Sequence, residues 1–317
     1  SGFPRDLIDP RTFRLFATSG APLNQNAISP GDAFTEIPIQ VIGEDDGVFD
    51  PSDYIVFYGT DRSGYSKNNI YQNSDQSVYY NPYSENSVYW LTFAGDFAGP
   101  PYRIPYDATI IGHNTSRESH RAVVHVEEEI HRRNITGFNW YMTRMFGSST
   151  QDYSFDINLP DLDSTEPQKL EMRFRQENTA ANTQHRIQIY VNGVIVPSNG
   201  PDTSVHTWIG NTVFLLAAET TSFSSGSNRI TIRALRSQPD NFFLDYYRIT
   251  YSQKLIKSNS QYSVNAYQGA NTQGVRYLFA GSSAEVQVYK STSPGQITRI
   301  PLFDEAGAFY FTGTGNA

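Results

Sequence analysis

The sequence has 317 residues, with 24 Lys and Arg against 32 Asp and Glu, a formal net charge of −8 and no Cys. No basic run is dense enough to displace the counterions of a nucleic acid, so no nucleic-acid partner is expected. The missing Cys removes a thiol nucleophile, a thiolate metal site and any disulfide framework, and no run approaches the roughly 20 apolar residues of a membrane span.

The 21 Tyr and 20 Phe suit half-buried pleated surfaces. Asn, Ser, Thr and Gly crowd the intervals where turns form. Period-two alternation is frequent and amphipathic helical spacing is scarce, which predicts an all-β, multi-domain chain. Residues 1–110 read as an N-terminal β domain. Its strands are expected at 12–16, 37–42, 53–59 and 87–93, with a turn-rich, Tyr-rich stretch from Gly64 to Tyr83. Gly99-Pro100-Pro101 breaks the pattern, so residues 100–118 read as a linker.

Residues 119–254 carry the longest alternations, at 153–159, 170–175, 186–191, 228–235 and 243–251. Asn192-Gly193, between two apolar runs, can supply positive φ at both central positions of a tight hairpin. This spacing predicts a jelly-roll-like antiparallel β-sandwich. Residues 255–317 add shorter strands, at 275–279 and 285–289 among others, and read as a short C-terminal β unit.

Four stretches invite chemistry. Asp45, Asp46, Asp50 and Asp53 lie in one loop around Gly47 and offer the oxygen ligands that calcium takes, although Asp with Gly and Pro is also ordinary turn chemistry. Asp161, Asp163 and Glu166 form a second acidic loop. Trp140, Tyr141 and Trp208 can form a stacking platform for carbohydrate, or equally close the sandwich core. His120, His125 and His131 flank Glu127, Glu128 and Glu129. On a strand only His125 and His131 share a face, so a solvated, charged strand is the better reading than a metal site. No Gly-x-Ser-x-Gly elbow or His-Glu-x-x-His motif occurs, and this chain is not expected to be an enzyme.

The run Ile8-Asp9-Pro10-Arg11-Thr12-Phe13-Arg14-Leu15-Phe16, then Glu36-Ile37-Pro38-Ile39, then Gly43 through Gly59 resembles the segment preceding the protease domain of gingipain-like cysteine peptidases. That family includes the sortase of the type IX secretion system. Val88-Tyr89-Trp90-Leu91, then His125 through Glu129 with Gly137-Phe138-Asn139-Trp140-Tyr141, and finally Val286 through Ile300 resemble later blocks of those proteins in the same order. The family's catalytic Cys and His lie downstream of all these blocks, so none of its catalytic residues maps onto this chain. The resemblance implies a non-catalytic segment, extracellular or at the bacterial cell surface. It would scaffold or dock a downstream peptidase domain, or meet an outer-membrane barrel protein. A self-assembling fibre or layer subunit and a carbohydrate-binding module are the competing expectations.

Overall fold

The computed structural model describes residues 7–18, 34–59, 65–66, 78–79, 86–132, 140–147, 149–177, 183–210, 213–235, 240–256, 264, 274–279, 286–293, 296–305 and 308–313. These residues form β-strands and short 3-10 turns, with no α-helix among them. The chain divides into two units. One is Ser1–Ile110 with Glu285–Leu302, and the other is Ile111–Ala284 with Phe303–Ala317. The stretch 255–317, expected as one C-terminal unit, is therefore shared between the two.

The first unit begins with β1 (Arg14–Ala17), β2 (Thr35–Ile37), β3 (Ile39–Ile42), β4 (Tyr54–Phe57), β5 (Tyr65–Ser66), β6 (Val78–Tyr79) and β7 (Tyr89–Thr92). β1 lies between β2 and β7, while β3 pairs with β4 and β5 with β6. The single strand expected at 37–42 is split at Pro38, which has no N–H to give a ladder. Ile8, Phe13, Leu15, Ile39 and Val41 form the core, with Phe49 packed edge-on against Phe13. Part of the expected linker belongs to this unit. Ile39 donates to the Tyr102 carbonyl and accepts from Ile104, while Arg299 donates to Pro105 and accepts from Asp107. Pro100, Pro101 and Pro105 keep this segment from forming a continuous ladder, which explains its linker-like sequence.

The second unit holds β8 (Thr115–Arg117), β9 (Ser119–Glu127), β10 (His131–Arg132), β11 (Trp140–Tyr141), β12 (Thr143–Gly147), β13 (Gln151–Leu159) and β14 (Gln168–Gln176). It continues with β15 (Gln184–Val191), β16 (Val194–Ile195), β17 (His206–Ile209), β18 (Val213–Thr220), β19 (Gly226–Ala234), β20 (Asp240–Lys254) and β21 (Val275–Phe279). The chain then supplies β22 (Val288–Ser293) and β23 (Gln296–Ile300) to the first unit, and β24 (Phe303–Glu305) and β25 (Ala308–Gly313) to the second.

Two five-stranded antiparallel sheets make the sandwich. One runs β12-β20-β14-β18, with β9 also on β20; the other runs β13-β19-β15-β16, with β17 also on β15. The long strands β13, β14, β15, β18, β19 and β20 alternate between the two sheets, as in a jelly roll. Period-two patterning builds the core, since β14 buries every second residue from Gln168 to Gln176. Leu170, Met172 and Phe174 thus meet Ile187, Ile189, Ile230 and Ile232 from the other sheet. A further sheet, β24-β25-β21-β8, completes the second unit.

β20 shows how this core is reached. Strict alternation would align Asp245 with Tyr247, Ile249 and Tyr251 on the core face. Instead the register with β14 shifts between Arg173 and Phe174, leaving Asp245 as an extra, unopposed residue. Such a bulge reverses the parity of the strand, so Phe242 and Leu244 are buried on one side of it and Tyr247, Ile249 and Tyr251 on the other.

Candidate functional site

The acidic loop is a tightly cross-braced turn. Glu44–Asp46 form a 3-10 turn between Gly43 and Gly47, both in the left-handed region with φ 91° and 77°. Asp46 accepts from the Val48 amide at 2.9 Å, Asp50 accepts from the Ser52 amide and hydroxyl, and Asp53 accepts from the Asp50 amide at 3.1 Å. Glu44 is clamped by Arg103, whose guanidinium also donates to the carbonyls of Pro10, Arg11 and Phe13. The carboxylates of Asp46, Asp50 and Asp53 are thus engaged in shaping the turn. Among the described residues no group of three or more His, Asp or Glu is arranged to hold a metal ion. Nothing local in the sequence marks Arg103 as the brace, because it is a lone cation in a proline-rich stretch.

The expected stacking residues do not converge. Trp208 lies on the core face of β17 and is 7% exposed. Phe214 stacks on it at 4.7 Å and His185 at 4.6 Å, so its ring is occupied by protein. Tyr141 is also 7% exposed and stacks on Phe243 at 4.7 Å. Trp140 is half-buried, with Arg132 5.9 Å from its ring. A sugar ring cannot stack on Trp208 or Tyr141 in this arrangement. The physical reason is that these large rings bury the most apolar surface when packed on other rings of the core.

The histidine-bearing strand is less solvated than its sequence implies. His120 points to the core side of β9, is 6% exposed and bonds to Gln253 at 3.2 Å. On the opposite face His125 bonds to Glu127 at 2.9 Å and receives the Arg248 Nε–H on Nδ1 at 3.4 Å. Tyr246 lies against the His125 ring at 4.8 Å, and Glu127 is only 4% exposed. One strand away, Arg173 and the bulged Asp245 form an ion pair. Both ring nitrogens of His125 have partners within the sheet, and the cluster ties β9 to β20.

One exposed aromatic surface was not anticipated. On the outer face of β2-β1-β7, Trp90 opposes Phe16 and Phe16 opposes Glu36. Phe34 meets Trp90 edge-on at 4.3 Å, and Phe97 stacks on Phe16 at 5.9 Å. Arg14 is buried beneath, over the Phe97 ring at 4.7 Å and paired with Glu36 at 2.7 Å. Phe34, Trp90 and Phe97 are 55%, 43% and 42% exposed. Aromatic and Arg side chains of this kind are enriched at interfaces.

These features define an all-β, multi-domain protein built on a jelly-roll-like sandwich. No protein-family model matches the chain, and no curated protein matches its sequence. Among solved structures, it is similar to dimeric latent PorU from Porphyromonas gingivalis, with a TM-score of 0.71 and 13% identity, covering 99% of this chain and 28% of that one. At this identity the likeness is one of fold, and the chain spans 28% of the length of that PorU chain. Partial likenesses reach the CBM36-1 domain of a multidomain xylanase from the hindgut metagenome of Trinervitermes trinervoides (TM-score 0.27, 10% identity, 41% of this chain and 95% of that one). Another is a family 35 carbohydrate binding module from Clostridium thermocellum (TM-score 0.24, 18% identity, 41% and 90%).

Proposed function

We propose that this chain is the non-catalytic, β-rich segment of a secreted or cell-surface gingipain-like protein associated with type IX secretion. In this reading it scaffolds or docks a peptidase domain that the chain itself does not contain, or engages an outer-membrane barrel partner. The observation that carries it is the fold likeness to PorU across 99% of the chain. The ordered sequence blocks from Ile8 to Ile300 support the same reading. So does the lack of Cys, which leaves the chain without the thiol such peptidases use. The exposed Phe34–Trp90–Phe97 surface is where such a partner would pack. Mass spectrometry of the native protein, with its gene, tests this. A longer product bearing a Cys- and His-containing α/β domain is expected. A native mass of 35.7 kDa with no longer precursor encoded would overturn it.

A carbohydrate-binding role has one specific observation in its favour, the exposure of Trp90 beside Phe34. Glycan-array binding that Trp90→Ala abolishes would support it, and an array without hits would end it.

A further inference from the structure

An asparagine followed by glycine cyclises when the glycine amide nitrogen attacks the side-chain Cγ, because glycine has no Cβ to crowd the five-membered ring. An aspartate followed by glycine can do the same, more slowly, since an ionised carboxylate is a poor electrophile. The chain carries two Asn-Gly dipeptides, Asn192-Gly193 and Asn199-Gly200, and one Asp-Gly, Asp46-Gly47. Their surroundings differ in what each reacting group must give up.

At the hairpin, Asn192 Nδ2 donates to the Ser222 carbonyl at 2.9 Å and to Asn228 Oδ1 at 2.8 Å, while its Oδ1 accepts from the Arg229 amide at 2.8 Å. The side chain must leave all three partners before its Cγ can turn to the Gly193 nitrogen. In the acidic turn both groups are held, since Asp46 accepts from the Val48 amide and the Gly47 amide donates to the Glu44 carbonyl at 3.2 Å. Asn199 differs. It is exposed in the loop joining β16 to β17, and among the described residues its side chain makes no hydrogen bond. The base of that loop is fixed by the Ser198 amide, which donates to the Thr203 carbonyl at 2.8 Å. The Gly200 amide donates to Ser198 Oγ at 2.9 Å, the one bond the reaction has to break there. Giving up a neutral hydrogen bond slows a reaction roughly fivefold, so Asn192 is held back on the order of a hundredfold and Asn199 only about fivefold.

We propose that Asn199 is a site of spontaneous covalent modification, deamidating through a succinimide, while the fold preserves Asn192. The Gly200 nitrogen bonds to Asn199 Cγ, the Cγ–Nδ2 bond breaks, and ammonia leaves with the proton from the Gly200 amide. Water then opens the ring at either carbonyl and gives aspartate or isoaspartate. No oxidant, reductant or enzyme is consumed. Each event adds one negative charge to the loop that holds Asp202, on a chain whose formal charge is already −8. Isoaspartate also lengthens the backbone by one atom between Ser198 and Pro201. The change runs one way, so the folded protein accumulates a more acidic form with this loop altered and the Asn192 hairpin intact. The inference stands apart from the family reading above.

Ageing the folded 317-residue chain in mildly alkaline buffer tests it, with circular dichroism showing that it stays folded. Both asparagines fall in the tryptic peptide from Ile187 to Arg229, so fragment masses between them assign the change. Exchange of ammonia for water is expected at Asn199 at least about tenfold faster than at Asn192, with isoaspartate among the products. In denaturant the two sites should react at similar rates, because the hydrogen bonds that separate them are gone. Asn199→Gln should remove the early change and leave Asn192 as slow as before. Equal rates at the two sites in the folded chain would overturn the proposal. So would an Asn199 that stays intact for as long as the denatured chain takes to react, or an Asn199→Gln variant that releases ammonia at the wild-type rate.

Discussion

Trp208 is held between Phe214 and His185, with Phe174 and Phe242 also against it, so its indole is a core residue. Trp208→Ala should cost about 3–5 kcal/mol in denaturant unfolding of the second unit, through lost burial and the cavity left behind. His120 and His206 are likewise structural, and burial lowers the pKa of each below the ordinary 6.5. Above that value both folded and unfolded states are neutral. Below it the unfolded chain gains protons that the folded chain does not, so stability falls as pH drops until the folded imidazoles also titrate. Melting temperature should therefore decline from about pH 6.5 downward. His120→Gln with His206→Gln should flatten that first decline. The carboxyls of Asp152 and Asp156 are held below their usual range by Arg233 and Arg229, so any loss they cause appears only at more acid pH. A decline that the double variant leaves unchanged would refute the assignment to these histidines.

At the level of elements, local chemistry was readable where a turn demanded it. Asn192 and Gly193 have φ of 50° and 81°, the pair of left-handed values that the dipeptide's position between two apolar runs requires. The acidic turn was readable as a turn, but its brace was not, since Arg103 reaches Glu44 from 59 residues away. Gly43 is the sensitive point. A Cβ there would sit 1.8 Å from Asp53 Oδ1, and its φ of 91° disfavours any side chain. Gly43→Ala should destabilise the first unit by about 1–3 kcal/mol, read as a lower urea midpoint. The bulge in β20 makes a second test. Asp245→Ala removes the carboxylate from the Arg173 guanidinium, which is 17% exposed, and should cost about 2–3 kcal/mol. Were Asp245→Ala neutral in the same assay, the bulge would be a matter of parity alone.

For the whole molecule, two units with separate hydrophobic cores predict two unfolding transitions. Calorimetry should show Gly43→Ala moving one and Trp208→Ala the other; both variants moving one common transition would show a single cooperative core. The sequence by itself determined the all-β class, the long strands of the sandwich and the hairpin at Asn192-Gly193. Alternation and turn chemistry are properties of neighbouring residues, so they are legible in one dimension. Only the tertiary structure decided that Trp208 is buried and Trp90 exposed, that Asp245 leaves the core through a bulge, and that residues 285–302 join the first unit. It alone decided that the histidine strand is covered by Tyr246 and Arg248. Each of these depends on which distant strand lies alongside, and strand pairing over such separations leaves no local mark in the chain.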